Sequence, residues 1–151
     1  MSVVISPQAL ETMLHDAASA YPHECCGAMI ELNGEIADAL PLANVTQEEA
    51  RRRFVVGPKD YLAAERRASE LGGTLAGFYH SHPDHPARPS QTDLEAAWPN
   101  FAYVIISVAA GVPGEITAWS LRADRSGFDR VDWSYRRDNG APSAVYSSTT
   151  I

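Results

Sequence analysis

The chain has 151 residues, of which 45% are hydrophobic and 21% charged, with a formal net charge of −7. These values suit one globular domain able to bury a core, and they exclude wholesale disorder. The acidic balance argues against nucleic acid as a partner, and no apolar stretch approaches the roughly 20 residues that span a bilayer.

Residues 1–7 show neither a basic start nor a long apolar stretch, so no signal peptide is expected. Ser6-Pro7 reads as an N-cap followed by proline at the first helical position. Ala9, Leu10, Met13, Leu14 and Ala17 then recur at helical spacing, which predicts an amphipathic helix over 7–20, closed by Pro22. Cys25 and Cys26 open an apolar run to Leu32. Asn33-Gly34 and a second run to Leu42 follow, the signature of a β-hairpin. The two cysteines are adjacent and cannot staple a fold, so they read as buried strand residues in a reducing, cytoplasmic setting.

Arg51, Arg52 and Arg53 are the only basic run and read as a solvated strand entry before a short strand at 54–56. Gly57-Pro58 precedes a second helix over 59–71, which Gly72-Gly73 stops. A strand is expected over 74–82, then a loop stiffened by Pro83, Pro86 and Pro89, then a short helix from Ser90 to about Trp98. Residues 102–109, 115–121 and 128–135 read as three closing strands. The polar segment 136–151 reads as a frayed tail. The sum is one mixed α+β domain over 1–135.

The dense polar chemistry runs from His80 to Asp93. A strand alternates its faces, so Phe78, His80 and His82 share one side, and two imidazoles at i and i+2 converge on one metal ion. With Ser90 as N-cap, Asp93 falls in the first helical turn and completes a His–His–Asp set. Two nitrogens and one oxygen with a position left for water is the open pattern of catalytic zinc. Zinc would lower the pKa of that water towards 7, and a nearby carboxylate must take its proton. Glu24, between helix and strand, is the best candidate. Each piece alone has a plainer reading: His80-Ser81-His82 as structural histidines, Asp93 as a capping acid, Glu24 as a hairpin-edge carboxylate. His85 reads as solvent-exposed, and His15 and His23 as surface residues.

Taken in register, Glu24, His80-Ser81-His82-Pro83 and Ser90-Gln91-Thr92-Asp93 resemble the JAMM motif of the MPN+ metalloprotease family, over about residues 3–135. The resemblance implies zinc held by His80, His82 and Asp93, Glu24 as general base, and Ser90 helping to hold the water and the developing oxyanion. It implies a cytidine-deaminase-like fold with a central mixed β-sheet flanked by helices. Pro22-His23-Glu24-Cys25-Cys26-Gly27 resembles the compact prokaryotic branch. Its members act after a diglycine at the C-terminus of small ubiquitin-fold sulfur carriers of the ThiS or MoaD kind, some releasing cysteine. The rival expectation is an inactive MPN scaffold that has lost ligands. A narrow slot beside the metal would favour glycines, and a substrate tail is expected to pair with a sheet edge.

Overall fold

The computed structural model describes residues 2–43, 56–137 and 142–146. In chain order the elements are β1 (Ser2–Ile5), α1 (Pro7–Ala20), β2 (Cys26–Leu32), β3 (Glu35–Leu42) and α2 (Pro58–Leu71). They continue with β4 (Thr74–Pro83), α3 (Gln91–Ala96), β5 (Ala102–Ala109), β6 (Val112–Leu121) and β7 (Phe128–Tyr135). The fold is the expected mixed α/β sheet flanked by helices. The strands run in the order β1-β3-β2-β4-β5-β6-β7, and β1 pairs in parallel with both β3 and β7, closing the sheet into a barrel.

Local chemistry explains most boundaries. The Ser6 side chain accepts from the Ala9 N–H at 3.1 Å, capping α1 ahead of Pro7. Asn33 and Gly34 both take positive φ, 53° and 80°, as a tight hairpin turn between β2 and β3 requires. Gly72 ends α2 in the left-handed conformation.

Besides shifts of one residue at the start of α2 and the end of β4, the structure departs from the sequence reading in three places. Strand β1 was not expected at all. Helix α3 stops at Ala96, because Ala97 is extended and Pro99 disfavours helix at Trp98. Strand β6 begins at Val112 because Ala110 and Gly111 turn with φ of 50° and 85°, setting Val112 opposite Ala109. The expected strand at 54–56 lies, apart from Val56, outside the described residues, as does the basic run 51–53. Of the segment expected to fray, residues 136–137 and 142–146 are described. Within it, Tyr146 bridges to Trp133 through paired backbone hydrogen bonds and stacks on its ring at 4.5 Å.

The sheet divides two apolar layers. On one side α1 buries Ala9, Met13 and Ala17 against Ile5, Met29, Tyr79, Val104 and Trp133. On the other, α2 buries only Ala64 and Ala68, small enough to lie close over Cys26, Ala28 and Phe78. Along β4, Tyr79 therefore belongs to the α1 layer and Phe78 to the α2 layer, which assigns His80 and His82 to the α2 side. Gly27 pairs with Tyr79, and a Cβ there would overlap the Tyr79 ring, whose hydroxyl donates to Asp16 of α1 at 2.8 Å. Gly77 likewise must lack a side chain, since a Cβ would meet the backbone of Ala102.

Candidate metal centre

Sheet register delivers the first three residues. Cys26 pairs with His80 across the antiparallel β2·β4 ladder, and Ser81 N–H donates to the Cys25 carbonyl at 3.2 Å, carrying the pairing one step further. The next partners in that register are Glu24 and His82, both on the α2 side. Ser81 points the other way, is fully buried, and its hydroxyl accepts from the Cys25 N–H at 2.8 Å. It thus fastens the residue next to Glu24 after the regular ladder has ended.

Asp93 arrives from α3 through a reciprocal capping box. The Ser90 hydroxyl accepts from the Asp93 N–H at 3.0 Å, while Asp93 Oδ2 accepts from the Ser90 N–H at 2.9 Å. The intervening loop is held at three carbonyls. Ser107 donates to that of His85 at 2.7 Å, His82 Nδ1 to that of Pro86 at 2.8 Å, and Thr117 to that of Ala87 at 2.6 Å.

Glu24, His80, His82 and Asp93 each offer a ligand atom, and these atoms lie within 4.8 Å of one another. Their side chains are almost sealed from solvent, with residue exposures of 4%, 1%, 8% and 4%. The Nε2 atoms of His80 and His82 are 3.1 Å apart. They stand 3.3 and 3.0 Å from the two oxygens of Asp93. A carbonyl only accepts, so the contact to Pro86 assigns the His82 proton to Nδ1 and leaves a lone pair on Nε2. With a cation bound among them, each of these atoms could direct a lone pair at it. Zinc bonds of 2.0–2.1 Å at tetrahedral angles set ligand atoms about 3.3 Å apart, close to the spacings found.

Charge leads to the same ion. Burial lowers the pKa of His80 against the pull of Asp93, so the ring is neutral. Burial alone would raise Asp93, but His80, His82 and the Ser90 N–H outweigh it and hold the carboxyl well below its usual range. Glu24 is pushed up to about 9, first by burial and then by the charge of Asp93. A divalent cation placed among these groups would offset the charge of Asp93 and favour the ionised form of Glu24. The residues present therefore fit zinc.

A match to the family described as prokaryotic homologs of the JAB domain covers residues 6–122. The chain belongs to this family. A desampylase from Haloferax volcanii is 34% identical over 94 residues, 60% of this JAB-domain chain and 67% of that protein. A solved structure from Salinibacter ruber is 43% identical with a TM-score of 0.67, covering 93% of this chain and 95% of the other. A JAB1/MPN domain protein from Archaeoglobus fulgidus shares the fold at 20% identity and a TM-score of 0.59, over 90% and 98% of the two chains. The JAMM resemblance thus holds, and with its Glu–His–His–Asp set intact this JAB-domain protein carries a zinc-metalloprotease-type centre.

The centre opens into a cleft of about 570 Å³ lined by Glu24, His82, His85, Arg88 and Ser90 with Pro83, Pro86 and Pro89. His85 is exposed on its wall and outside the cluster, and His15 and His23 are exposed elsewhere. Cys25 and Cys26 are buried and unpaired, as expected. Strand β4 pairs with β5 from Gly77 to Pro83, and with β2 from Thr74 only to His80. Among the described residues no helix is long and apolar enough to cross a membrane.

Sequence reasoning passed over Ser81, whose only signal was its place between two histidines. Ser81→Ala should leave the buried Cys25 N–H without its acceptor, lowering stability by about 1–3 kcal/mol. Turnover should fall with it while zinc content holds. Denaturation midpoints and metal analysis check this, and unchanged stability would deny Ser81 the role.

Proposed function

We propose that the protein hydrolyses the bond after a diglycine at the C-terminus of a small ubiquitin-fold sulfur carrier of the ThiS or MoaD kind. The carrying observation is the convergence of Glu24, His80, His82 and Asp93 on one buried point at the floor of an open cleft. In this reading His80, His82 and Asp93 hold the zinc and Glu24 stays free of it to move a proton. Bound zinc supplies a Lewis acid that polarises the scissile carbonyl and makes water more acidic. Glu24 takes the proton of the attacking water and returns it to the departing amine, so that the C–N bond breaks to a glycine carboxylate and a free amine.

Ser90 suits the oxyanion role because its oxygen accepts from Asp93 N–H, leaving its own O–H to donate into the cleft. A scaffold that had lost its chemistry would have no reason to keep four buried ionisable groups together. The carrier is supported by the likeness to a desampylase and by the prolines of the cleft wall, which suit a slim extended chain. The buried, unpaired cysteines suit a reducing cytoplasm.

Mass spectrometry of a carrier bearing a short extension after Gly-Gly tests the reading, alongside a version with both glycines changed to alanine. Cleavage after the second glycine only in the first is expected. Equal cleavage of both, or of unfolded casein, would mean a general peptidase.

A further inference from the structure

The cleft wall carries one cation that the proposed reaction does not use. Arg88 is exposed and lines the same volume as Glu24, His82 and Ser90. Other arginines are engaged: Arg67 with Asp38, Arg122 with Asp129, Arg136 with Glu35, and Arg125 with the carbonyls of Leu94 and Ala97. Among the described residues the Arg88 guanidinium has no such partner, and only its backbone N–H is used, donating to the Pro86 carbonyl at 2.9 Å.

The backbone that carries Arg88 is fixed. Ala87 before it is fully buried, with its carbonyl held by Thr117 at 2.6 Å, and Pro89 and the α3 capping box follow it. Arg88 is therefore an exposed cationic side chain on a rigid base, lining the cleft of a chain of net charge −7. A negatively charged chain end entering the cleft of so acidic a chain is favoured by a cation standing beside it.

We propose that Arg88 is a specificity residue that receives the free α-carboxylate of the segment leaving after the diglycine. The inference rests on the carrier reading above and names which extensions that site accepts. A guanidinium grips a carboxylate through two parallel N–H donors, which fixes both charge and direction. The cleft volume equals a sphere about 10 Å across. An extended residue spans roughly 3.3–3.6 Å, so only one or two residues fit between the scissile carbonyl and a carboxylate held at the cleft wall. The enzyme then trims short C-terminal extensions and discriminates against conjugates through a lysine side chain, whose leaving amine carries no nearby terminal carboxylate.

The test compares a carrier ending Gly-Gly-Ala with the same protein bearing a C-terminal carboxamide. Wild-type kcat/KM should favour the free acid on the order of 10- to 100-fold, chiefly through KM. In Arg88→Ala that ratio should fall to near one, and Arg88→Lys should restore part of it. Zinc content and circular dichroism identify any variant that has lost its centre or its fold. Equal cleavage of acid and amide by the wild type, or an unchanged ratio in Arg88→Ala, overturns the role of Arg88 and leaves the carrier reading standing. Cleavage of neither by zinc-loaded wild type overturns both.

Discussion

Glu24→Gln should fold and bind zinc, yet hydrolyse the diglycine substrate roughly 10²- to 10⁴-fold more slowly, the range expected for loss of a general base. The amide fills the same space but cannot accept a proton from water. The titration of Glu24 gives the same variant a second readout. Without metal its pKa rises from 4.5 to about 9, burial being the main cause, so at pH 6 the group holds its proton. Between those values the folded metal-free protein binds a proton that the unfolded chain does not. Its stability therefore declines as pH rises from 4.5 towards 9. A divalent cation alongside favours the carboxylate and expels that proton. Zinc titrated into metal-free protein at pH 6, in two buffers of different ionisation heat, should release about one more proton from wild type than from Glu24→Gln. Equal release would remove Glu24 from the charge balance, and near-normal turnover would end its assignment as base.

His82→Ala and Asp93→Ala should each lose zinc by more than the roughly 10- to 100-fold typical of residues one layer out from a metal, since an open site has no ligand to spare. The two variants should differ in what else they disturb. His82→Ala also removes one of two donors to the Pro86 carbonyl, leaving the Arg88 N–H, while β4 keeps its fully buried Phe78 and Tyr79. Asp93→Ala removes the acceptor of the Ser90 N–H and leaves this six-residue helix with only the Ser90 hydroxyl half of its capping box. Asp93→Asn separates these effects, because the amide oxygen of asparagine can still accept from the Ser90 N–H but carries no charge. Metal analysis after gel filtration, with circular dichroism, decides the matter. Stoichiometric zinc in His82→Ala would rule out the ligand set.

The site was legible in the sequence because its parts are locally encoded. Strand alternation brings His80 and His82 to one face, and Ser90 announces the turn that carries Asp93. Glu24 was harder, since what brings it to His82 is a register between strands more than fifty residues apart, which no local pattern states. Ser81 was invisible for a related reason. Its hydroxyl matters only because the ladder ends beside it. The same division holds in the fold. Caps and turns at Ser6, Asn33-Gly34 and Gly72 fixed their elements, whereas Ser2–Ile5 offered four residues whose meaning depends on partners far along the chain. The hairpin at Ala110-Gly111 was missed because alanine rarely takes positive φ, and its neighbours impose that conformation here.

Strand β1 also orders events in time. Its partners in β7 lie 130 residues later, Ser2 with Asp132 and Ile5 with Tyr135. During synthesis the hairpin and the helices can form as they emerge, but this seam must wait until Tyr135 has cleared the ribosome. Contacts of such long span are the slow ones to form. Until then the apolar inner face of the nascent sheet, with Val3, Ile5 and Met29, stands open to other chains. The last joint to close is thus the one that makes the molecule safe at cellular concentrations.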